Sequence, residues 1–287
     1  MSGFALALVL AGAVCHALWN IVAKKAGGGA AFVFLFGAVS VVAYVPVAAW
    51  AWARQPQYFD ATMWLAAAAS ALIHLLYALV LQKAYRQADF ALVYPVARGT
   101  GPMLSVLAAV LLFGESPSLI GWLSVGAILA GVFVSAGGAG VWRGARTRRS
   151  GVLWGVATGA FIAAYTLLDG WAIKTLGMTP ILFYAAGRGL RTLLQAPFVL
   201  CQTDSLRREW RARRAAIVAV GLLSPAAYTL VLFAMRHAPL SYVAPVREIS
   251  MLAGAFIGAS LLHEQLKPSQ IAGAAIMLAG VVGLVWA

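Results

Sequence analysis

The chain consists of long apolar stretches separated by short polar loops. A helix that crosses a bilayer needs about 20 mostly apolar residues, whereas strands of membrane barrels alternate over only about ten. Ten stretches fit the helical pattern: 3–23, 30–52, 62–82, 89–113, 118–137, 151–173, 179–201, 215–235, 240–262 and 268–286. The pattern therefore predicts an all-α polytopic membrane protein with ten transmembrane helices and no room for a soluble domain.

One segment of the chain occurs twice. Residues 84–96 return as residues 234–246 with six of thirteen positions identical. We therefore expect a first five-helix repeat over 1–137, a basic linker loop over 138–150 and a second repeat over 151–287. Because five is an odd number, the second repeat must cross the bilayer inverted. Inverted repeats are typical of carriers that work by alternating access.

The composition agrees with a membrane protein. Apolar residues make up 63% of the chain, charged residues 10%, and mean hydropathy is +0.89. Cys15 and Cys201 both lie in apolar stretches, which excludes a disulfide framework and a four-ligand zinc site. We expect no metal and no cofactor.

Basic residues are concentrated on one side. Loops after odd-numbered helices carry fourteen of the 21 lysines and arginines, whereas loops after even-numbered helices carry Arg54, Lys174 and Arg236. By the positive-inside rule, the odd-numbered loops face the cytoplasm and both termini face outward. This bias also accounts for the net charge of +13, so we expect no nucleic-acid partner.

Five polar side chains of the second repeat fall at overlapping depths, at 1.5 Å per residue. They are Arg188, Glu248, Tyr228, Tyr165 and Asp169. A charge in the hydrocarbon costs at least ~2.5 kcal/mol, so each charge needs a partner or water. For Arg188 two interpretations stay open: recognition of a substrate carboxylate, or an internal ion pair with Asp169 or Glu248.

The first repeat offers counterparts on shared helical faces. The candidate substrate-binding residues are His16, Trp19, Asn20, His74, Tyr77, Tyr94, Arg98, Tyr165, Asp169, Arg188, Tyr228, Tyr242 and Glu248. Tyrosines around a central cavity would suit a zwitterion with an apolar side chain. A packing role is the alternative for the histidines. Arg191, on the same side of its helix as Arg188, favours an anionic group that arrives from outside the protein.

Prolines and glutamates recur at matching places in the two repeats. Pro95 and Pro245 each remove a helical hydrogen bond, which predicts a kink that gates or shapes the cavity, or else a tolerated bend. Glu115 and Glu264 lie at helix ends, where capping and ion coupling are the two interpretations. A pair of glycines, Gly254-xxx-Gly258, indicates close helix packing.

The order of these motifs resembles the EamA-type exporters of the drug/metabolite transporter superfamily. The matching residues are Pro95-Val96 with Gly114-Glu115, and Pro245-Val246 with His263-Glu264; Leu-Ala-Gly-Val follows at 129–132 and 278–281. The resemblance implies ten helices, export of amino acids or other small metabolites, and both termini in the cytoplasm. This orientation is opposite to the one that the charge distribution predicts. His263 departs from the glycine of the family pattern.

We therefore expect a secondary transporter that exports amino acids, aromatic or other neutral ones first, or similar small metabolites. It would lie in a bacterial inner membrane, with lipid, a small-molecule substrate and a second copy of the chain as candidate partners. The alternative is a proton-coupled cationic drug antiporter using Asp169 or Glu248. A membrane-embedded enzyme is disfavoured, because no HExxH pair or aspartate cluster occurs.

Overall fold

The computed structural model describes residues 1–88, 90–135, 147–253 and 267–287, in which the regular elements are all helical. They are α1 (Gly3–Ala26), α2 (Ala30–Arg54), α3 (Ala61–Gln87), α4 (Phe90–Phe113), α5 (Leu119–Ser135), α6 (Thr147–Lys174), α7 (Pro180–Val199), α8 (Thr203–His237), α9 (Leu240–Val246) and α10 (Pro268–Val285). A single 3₁₀ turn, Leu200–Gln202, joins α7 to α8.

Seven helical stretches of the described residues are long and apolar enough to cross a membrane, one of them the run Pro180–His237 that contains both α7 and α8. Helix α5 is apolar but shorter, at 17 residues. These stretches confirm a multi-pass helical protein. The predicted ninth span, 240–262, is interrupted: α9 ends at Val246, residues 247–248 form a turn, and 249–253 are helical. The structure therefore does not confirm the number ten.

Local signals explain several helix boundaries. The Asp60 carboxylate accepts a hydrogen bond from the backbone N–H of Met63 at 2.8 Å and so caps α3. Gly27 and Gly177 each lie three residues before the next helix in a left-handed conformation, with φ of 60° and 66°. The two glycines are therefore 150 residues apart, the same offset that separates 84–96 from 234–246.

The two halves interlock through pairs of contacts that exchange symmetrically. Helix α1 packs on α8, and the counterpart of α1, which is α6, packs on the counterpart of α8, which is α3. In the same way α2 packs on α8, and its counterpart α7 packs on α3. In the described residues α4 also packs extensively on α6, without an equally large counterpart between α9 and α1, and the other large contacts join equivalent helices, α2 with α7, α4 with α9 and α5 with α10. This exchange is what a pseudo-twofold relation between two repeats produces.

The Leu-Ala-Gly-Val motifs lie in the contact between α5 and α10. A Cβ atom on Gly131 would lie 2.7 Å from the carbonyl oxygen of Gly273, and one on Gly280 would lie 2.7 Å from that of Ser124. Only glycine lets these backbones approach so closely, as at many helix contacts in membranes. The second glycine pair of the sequence, Gly254 and Gly258, lies outside the described residues, as do His263 and Glu264.

The basic segment before the eighth predicted span is helical, not a loop. Helix α8 begins at Thr203, and the backbone leaves helical geometry only at Arg213, where φ is −136°. Residues 203–212 contain no glycine or proline, and an ion pair between Glu209 and Arg213 supports this helix at i, i+4 spacing. The arginines predicted to lie in a basic loop therefore extend from the outer turns of a bent helix.

Candidate functional site

Four predicted aromatic residues from both halves meet in the centre of the bundle. The His74 ring stacks on Tyr165 with 4.1 Å between centroids, while Tyr77 and Tyr228 make edge contacts with Tyr165 at 5.7 and 6.4 Å. His74 and Tyr77 share a face of α3 through their i, i+3 spacing. His74 Nδ1 donates to the carbonyl of Ser70 at 2.9 Å, which fixes the ring. We call these four residues the aromatic cluster.

Asp169 lies at the edge of the aromatic cluster and is fully buried. The Tyr228 hydroxyl donates a hydrogen bond to its Oδ2, so α6 and α8 are joined here. Among the described residues, Asp169 Oδ1 has no hydrogen-bond partner. The charges of Arg191 and Arg247 act on this carboxylate from neighbouring helices. The Ser70 hydroxyl of α3 also approaches this carboxylate, so Asp169 lies between α3 and α8.

An ion pair connects the two halves beside this cluster. Arg98 Nη1 of α4 lies 3.1 Å from Glu248 Oε2, and its Nη2 donates to Ser250 Oγ at 3.2 Å. The Arg98 guanidinium lies over the Tyr94 ring, 5.5 Å from its centroid. The Arg98 side chain is 13% exposed, whereas Glu248 is fully buried. Both partners were predicted as site residues, but the sequence did not pair them.

The break after α9 brings a second arginine to the aromatic cluster. Pro245 has no N–H. The Arg247 N–H still donates to the Val243 carbonyl at 3.1 Å, and the Glu248 N–H then turns to the Pro245 carbonyl at 2.9 Å, where the regular helix ends. Arg247 Nη2 then donates to the Tyr165 hydroxyl at 3.2 Å, with the guanidinium 5.7 Å from that ring's centroid. In the first half, α4 continues as a helix through Pro95. Equal kinks at the two prolines are therefore not observed.

Arg188 and Arg191 project from α7, and we call them the arginine pair. Arg188 is 7% exposed and lies over the Phe36 ring at 5.1 Å. In the described part of the chain, no carboxylate forms an ion pair with either arginine, and the Nε atoms of both lack hydrogen-bond partners. The internal ion pair that the sequence allowed for Arg188 is therefore not formed with Asp169 or Glu248.

The structure separates the remaining predicted residues. The His16 ring makes an edge contact with Trp19 at 5.0 Å, and the charges of Arg98 and Arg247 act on it. Trp19 packs on an apolar cluster between α2 and α8, and the exposed Asn20 donates to the carbonyl of its own helix at His16.

Tyr242 is also set apart. It is buried against Gly121 of α5, within the hydrophobic core. Of these four predictions, therefore, only His16 approaches the charged residues.

Sequence reasoning missed two tyrosines and a threonine that connect the arginine pair to the aromatic cluster. The Tyr184 ring lies 5.0 Å from Tyr44 and 6.2 Å from Tyr228, and the Tyr44 hydroxyl is 2.8 Å from Thr229 Oγ1. Tyr184 is four residues before Arg188 on α7, so helical spacing alone could have placed it on the same face. Tyr44 carries no comparable signal.

On the side of the even-numbered loops, Glu115 closes a contact between the halves. Gly114 has a left-handed φ of 65°, which turns the chain so that Glu115 reaches α9. Its two carboxylate oxygens accept from the backbone N–H groups of Leu240 and Ser241 at 2.7 and 2.8 Å, and Lys174 Nζ lies 3.0 Å away. We call these four residues the even-side clasp. Capping is therefore the structural role of Glu115.

The environment of Glu115 favours its charged form. Burial alone would raise the pKa of the carboxyl, but the Ser241 and Leu240 N–H donors and Lys174 outweigh it and lower the pKa below its ordinary value. A second contact closes the same side: Gln57 donates to the Gly177 carbonyl at 3.0 Å and accepts from the Thr179 N–H at 2.8 Å. Both contacts join one half to the other.

Comparison with known proteins identifies the family. The model of the EamA-like transporter family matches residues 3–137 and again residues 149–286. A solved structure titled "Crystal structure of protein" superposes with a TM-score of 0.76 at 17% identity, covering 100% of this chain and 98% of that chain, and this likeness concerns the fold alone. No curated protein matches. The chain therefore belongs to the EamA-like transporter family and is a multi-pass membrane transporter of small molecules.

Proposed function

We propose that this transporter exports amino acids or similar small metabolites by alternating access. The observation that carries the proposal is a cluster of aromatic and charged side chains, built from both repeats, in the middle of a membrane bundle. Such side chains are costly in hydrocarbon and are found where a substrate or ion passes. Carrier sites near the bilayer centre, between two repeats, follow this plan.

Exposure at depth supports an internal binding space. His74 lies about 20 Å from the start of α3 and Arg98 about 12 Å from the start of α4, at 1.5 Å per residue, yet both side chains retain partial exposure. A binding space inside the bundle would leave these deep side chains partly accessible, as they are. Its aromatic walls suit an apolar side chain, its guanidinium groups a carboxylate, and Asp169 an ammonium group.

The even-side clasp supports alternating access. The clasp and the Gln57 contacts both bind one half to the other on a single side, as expected for a carrier closed on that side. In an inverted repeat the closed side of one state corresponds to the open side of a second, and we propose that this chain reaches that second packing. Substrate would then leave when the even side opens.

The direct test is exchange in proteoliposomes. Purified protein is reconstituted into liposomes loaded with an unlabelled amino-acid mixture, and uptake of each radiolabelled amino acid is measured against protein-free liposomes. We expect saturable uptake of a subset of amino acids. If every amino acid enters at the protein-free rate, in exchange and in net flux, amino-acid transport is excluded.

A second candidate, proton-coupled export of cationic drugs, is favoured by Asp169 alone. It is a fully buried carboxylate beside aromatic rings, with no ion pair within the described chain and one free oxygen. In this case Asp169→Asn abolishes proton-driven efflux of an ethidium-like cation. Amino-acid exchange that persists in Asp169→Asn, with no cation efflux by the wild type, rejects this candidate.

A further inference from the structure

Positive charge exceeds negative charge within the membrane part of the bundle. The sequence places four arginines deep within transmembrane stretches, Arg98, Arg188, Arg191 and Arg247, and two acids, Asp169 and Glu248, while Asp89 stands at the first position of its stretch. Of the four, Arg98 has a carboxylate within ion-pair distance, while Arg247 Nη2 donates to an uncharged hydroxyl. With all six groups ionised, the site carries a net charge of about +2.

Unsatisfied polar atoms are concentrated in the same place. Within the described residues, the buried side-chain atoms without a hydrogen-bond partner include Asp169 Oδ1, Tyr184 Oη, Arg188 Nε, Arg191 Nε and Arg247 Nη1. Buried donors and acceptors are normally paired, so such a concentration needs an explanation. Three of the five atoms are guanidinium donors, and a carboxylate is the group that matches their geometry.

We propose that the arginine pair forms an anion subsite, and that the preferred substrates are amino acids with two carboxylates. The inference rests on the proposed export of amino acids and narrows its substrate class. The arginine pair on α7 takes one carboxylate, with Tyr184 beside it. Arg247 takes the other through Nη1, and Asp169 Oδ1 accepts the ammonium group.

The alternatives explain less of the structure. An internal ion pair would neutralise Arg188, but Glu248 is held by Arg98 and the Asp169 carboxylate is bound by Tyr228. A neutral amino acid brings one carboxylate and one ammonium, so it adds no net charge and leaves the excess of about +2 unchanged. An acidic amino acid reduces this excess. The aromatic or neutral amino acids that the sequence favoured first are therefore expected to bind more weakly.

The experiment compares matched substrates in proteoliposomes. Radiolabelled aspartate and glutamate are tested against asparagine and glutamine, which have almost the same size but lack the second carboxylate. We expect the acidic pair to exchange at least about tenfold faster, a difference near 1.4 kcal/mol. Arg188→Gln and Arg191→Gln should each remove this preference, and Arg188→Lys should restore part of it. Arg236→Gln, at the exposed end of α8, is the control that should leave it intact.

Each other outcome is decisive. Equal exchange of acidic and amide substrates by the wild type overturns the proposal, and so does an equal loss of both in Arg188→Gln that elutes and melts like the wild type. If no amino acid exchanges, the proposed function fails, and thermal stabilisation by glutarate or inorganic phosphate tests the subsite separately. Stabilisation that disappears in both Arg188→Gln and Arg191→Gln supports the anion subsite; no stabilisation of the wild type overturns it.

Discussion

Replacing Glu115 by glutamine should open the side of the bundle that the even-side clasp holds closed. The wild-type carboxylate accepts two backbone N–H groups from the start of α9, at 2.7 and 2.8 Å, and pairs with Lys174. Glutamine has one oxygen, so one N–H group of Leu240 or Ser241 loses its acceptor. The substitution preserves size and leaves the turn at Gly114 unchanged.

The size of the effect follows from burial. The Glu115 side chain is 11% exposed, and a hydrogen bond to a charged group contributes about 1.5–3 kcal/mol. Lys174 is 29% exposed, so its ion pair contributes at most about 1 kcal/mol. Together they give about 2–4 kcal/mol in favour of opening. At about 1.4 kcal/mol per tenfold change, the open population should rise roughly 30- to 700-fold.

Labelling of a buried thiol measures this population. Ser241→Cys is introduced where both native cysteines are replaced by serine. The Ser241 side chain is 1% exposed, so a thiol there is labelled only on opening. Because the Ser241 hydroxyl lies beside the Glu115 carboxylate, all labelling rates are compared within the same Ser241→Cys background. The labelling rate by a small maleimide is proportional to the open population when closing is fast. Lys174→Gln is the matched control and should accelerate labelling at most about fivefold.

Two results would refute this reasoning. Labelling of the Glu115→Gln variant at the wild-type rate would show that the clasp does not hold this side closed. An equal acceleration in Lys174→Gln would assign the effect to the ion pair. The pH dependence gives a further check: since the pKa of Glu115 is lowered, its stabilisation is present above about 4.3 and is lost only as pH falls through the lowered value. The ratio of variant to wild-type rates should therefore stay constant from about pH 8 to about pH 6.

Three further outcomes test packing, orientation and the central hydrogen bond. Gly131→Ala should lower the free energy of unfolding by about 1–3 kcal/mol, because its Cβ would meet the backbone of α10. Gly126→Ala should leave the free energy of unfolding unchanged, because a Cβ atom there meets open space. Equal melting temperatures of the two variants in detergent would contradict this contrast. Cys201, exposed at the odd-loop end of α7, should resist a membrane-impermeant maleimide in intact cells once the other cysteine is replaced; labelling there would reverse the orientation in favour of cytoplasmic termini. A double-mutant cycle of Tyr228→Phe with Asp169→Asn in thermal unfolding should show a coupling of about 1.5–3 kcal/mol, and zero coupling would remove this hydrogen bond from the argument.

Hydropathy predicted most of the helices because each one must present apolar side chains to lipid. The second helix, expected over 30–52, runs from Ala30 to Arg54. Two features could not be read from this signal. Hydropathy averaged over the run 240–262 stays apolar despite Arg247 and Glu248, so it does not show that the helix ends at Val246, just before this charged pair. Residues 203–212 are too polar for a span but have good helical spacing, so they extend α8 outside the apolar core.

The candidate site could be predicted only helix by helix. Spacing of three or four residues predicted a shared face for His74 and Tyr77 and for Tyr94 and Arg98; His74 and Tyr77 both contact Tyr165, and Arg98 lies over Tyr94. Depth arithmetic gives the level of a side chain but not the direction in which it points around its helix. It therefore grouped Glu248 with Arg188, whereas packing of α4 against α9 gives Glu248 to Arg98.

The differences between the repeats determine where charge is left without a counterion. A one-residue shift just after the repeated segment aligns Arg98 with Arg247 and Gly99 with Glu248, so one carboxylate serves two arginines. Arg98 takes that carboxylate, and Arg247 turns to the hydroxyl of Tyr165, whose equivalent in the first half is His16. A perfectly repeated site would neutralise itself in both halves. Because the two copies of the site differ, the electrostatic potential inside the symmetric fold is asymmetric. It is positive on the side of α7 and α9, and the proposed acidic substrate is complementary to it.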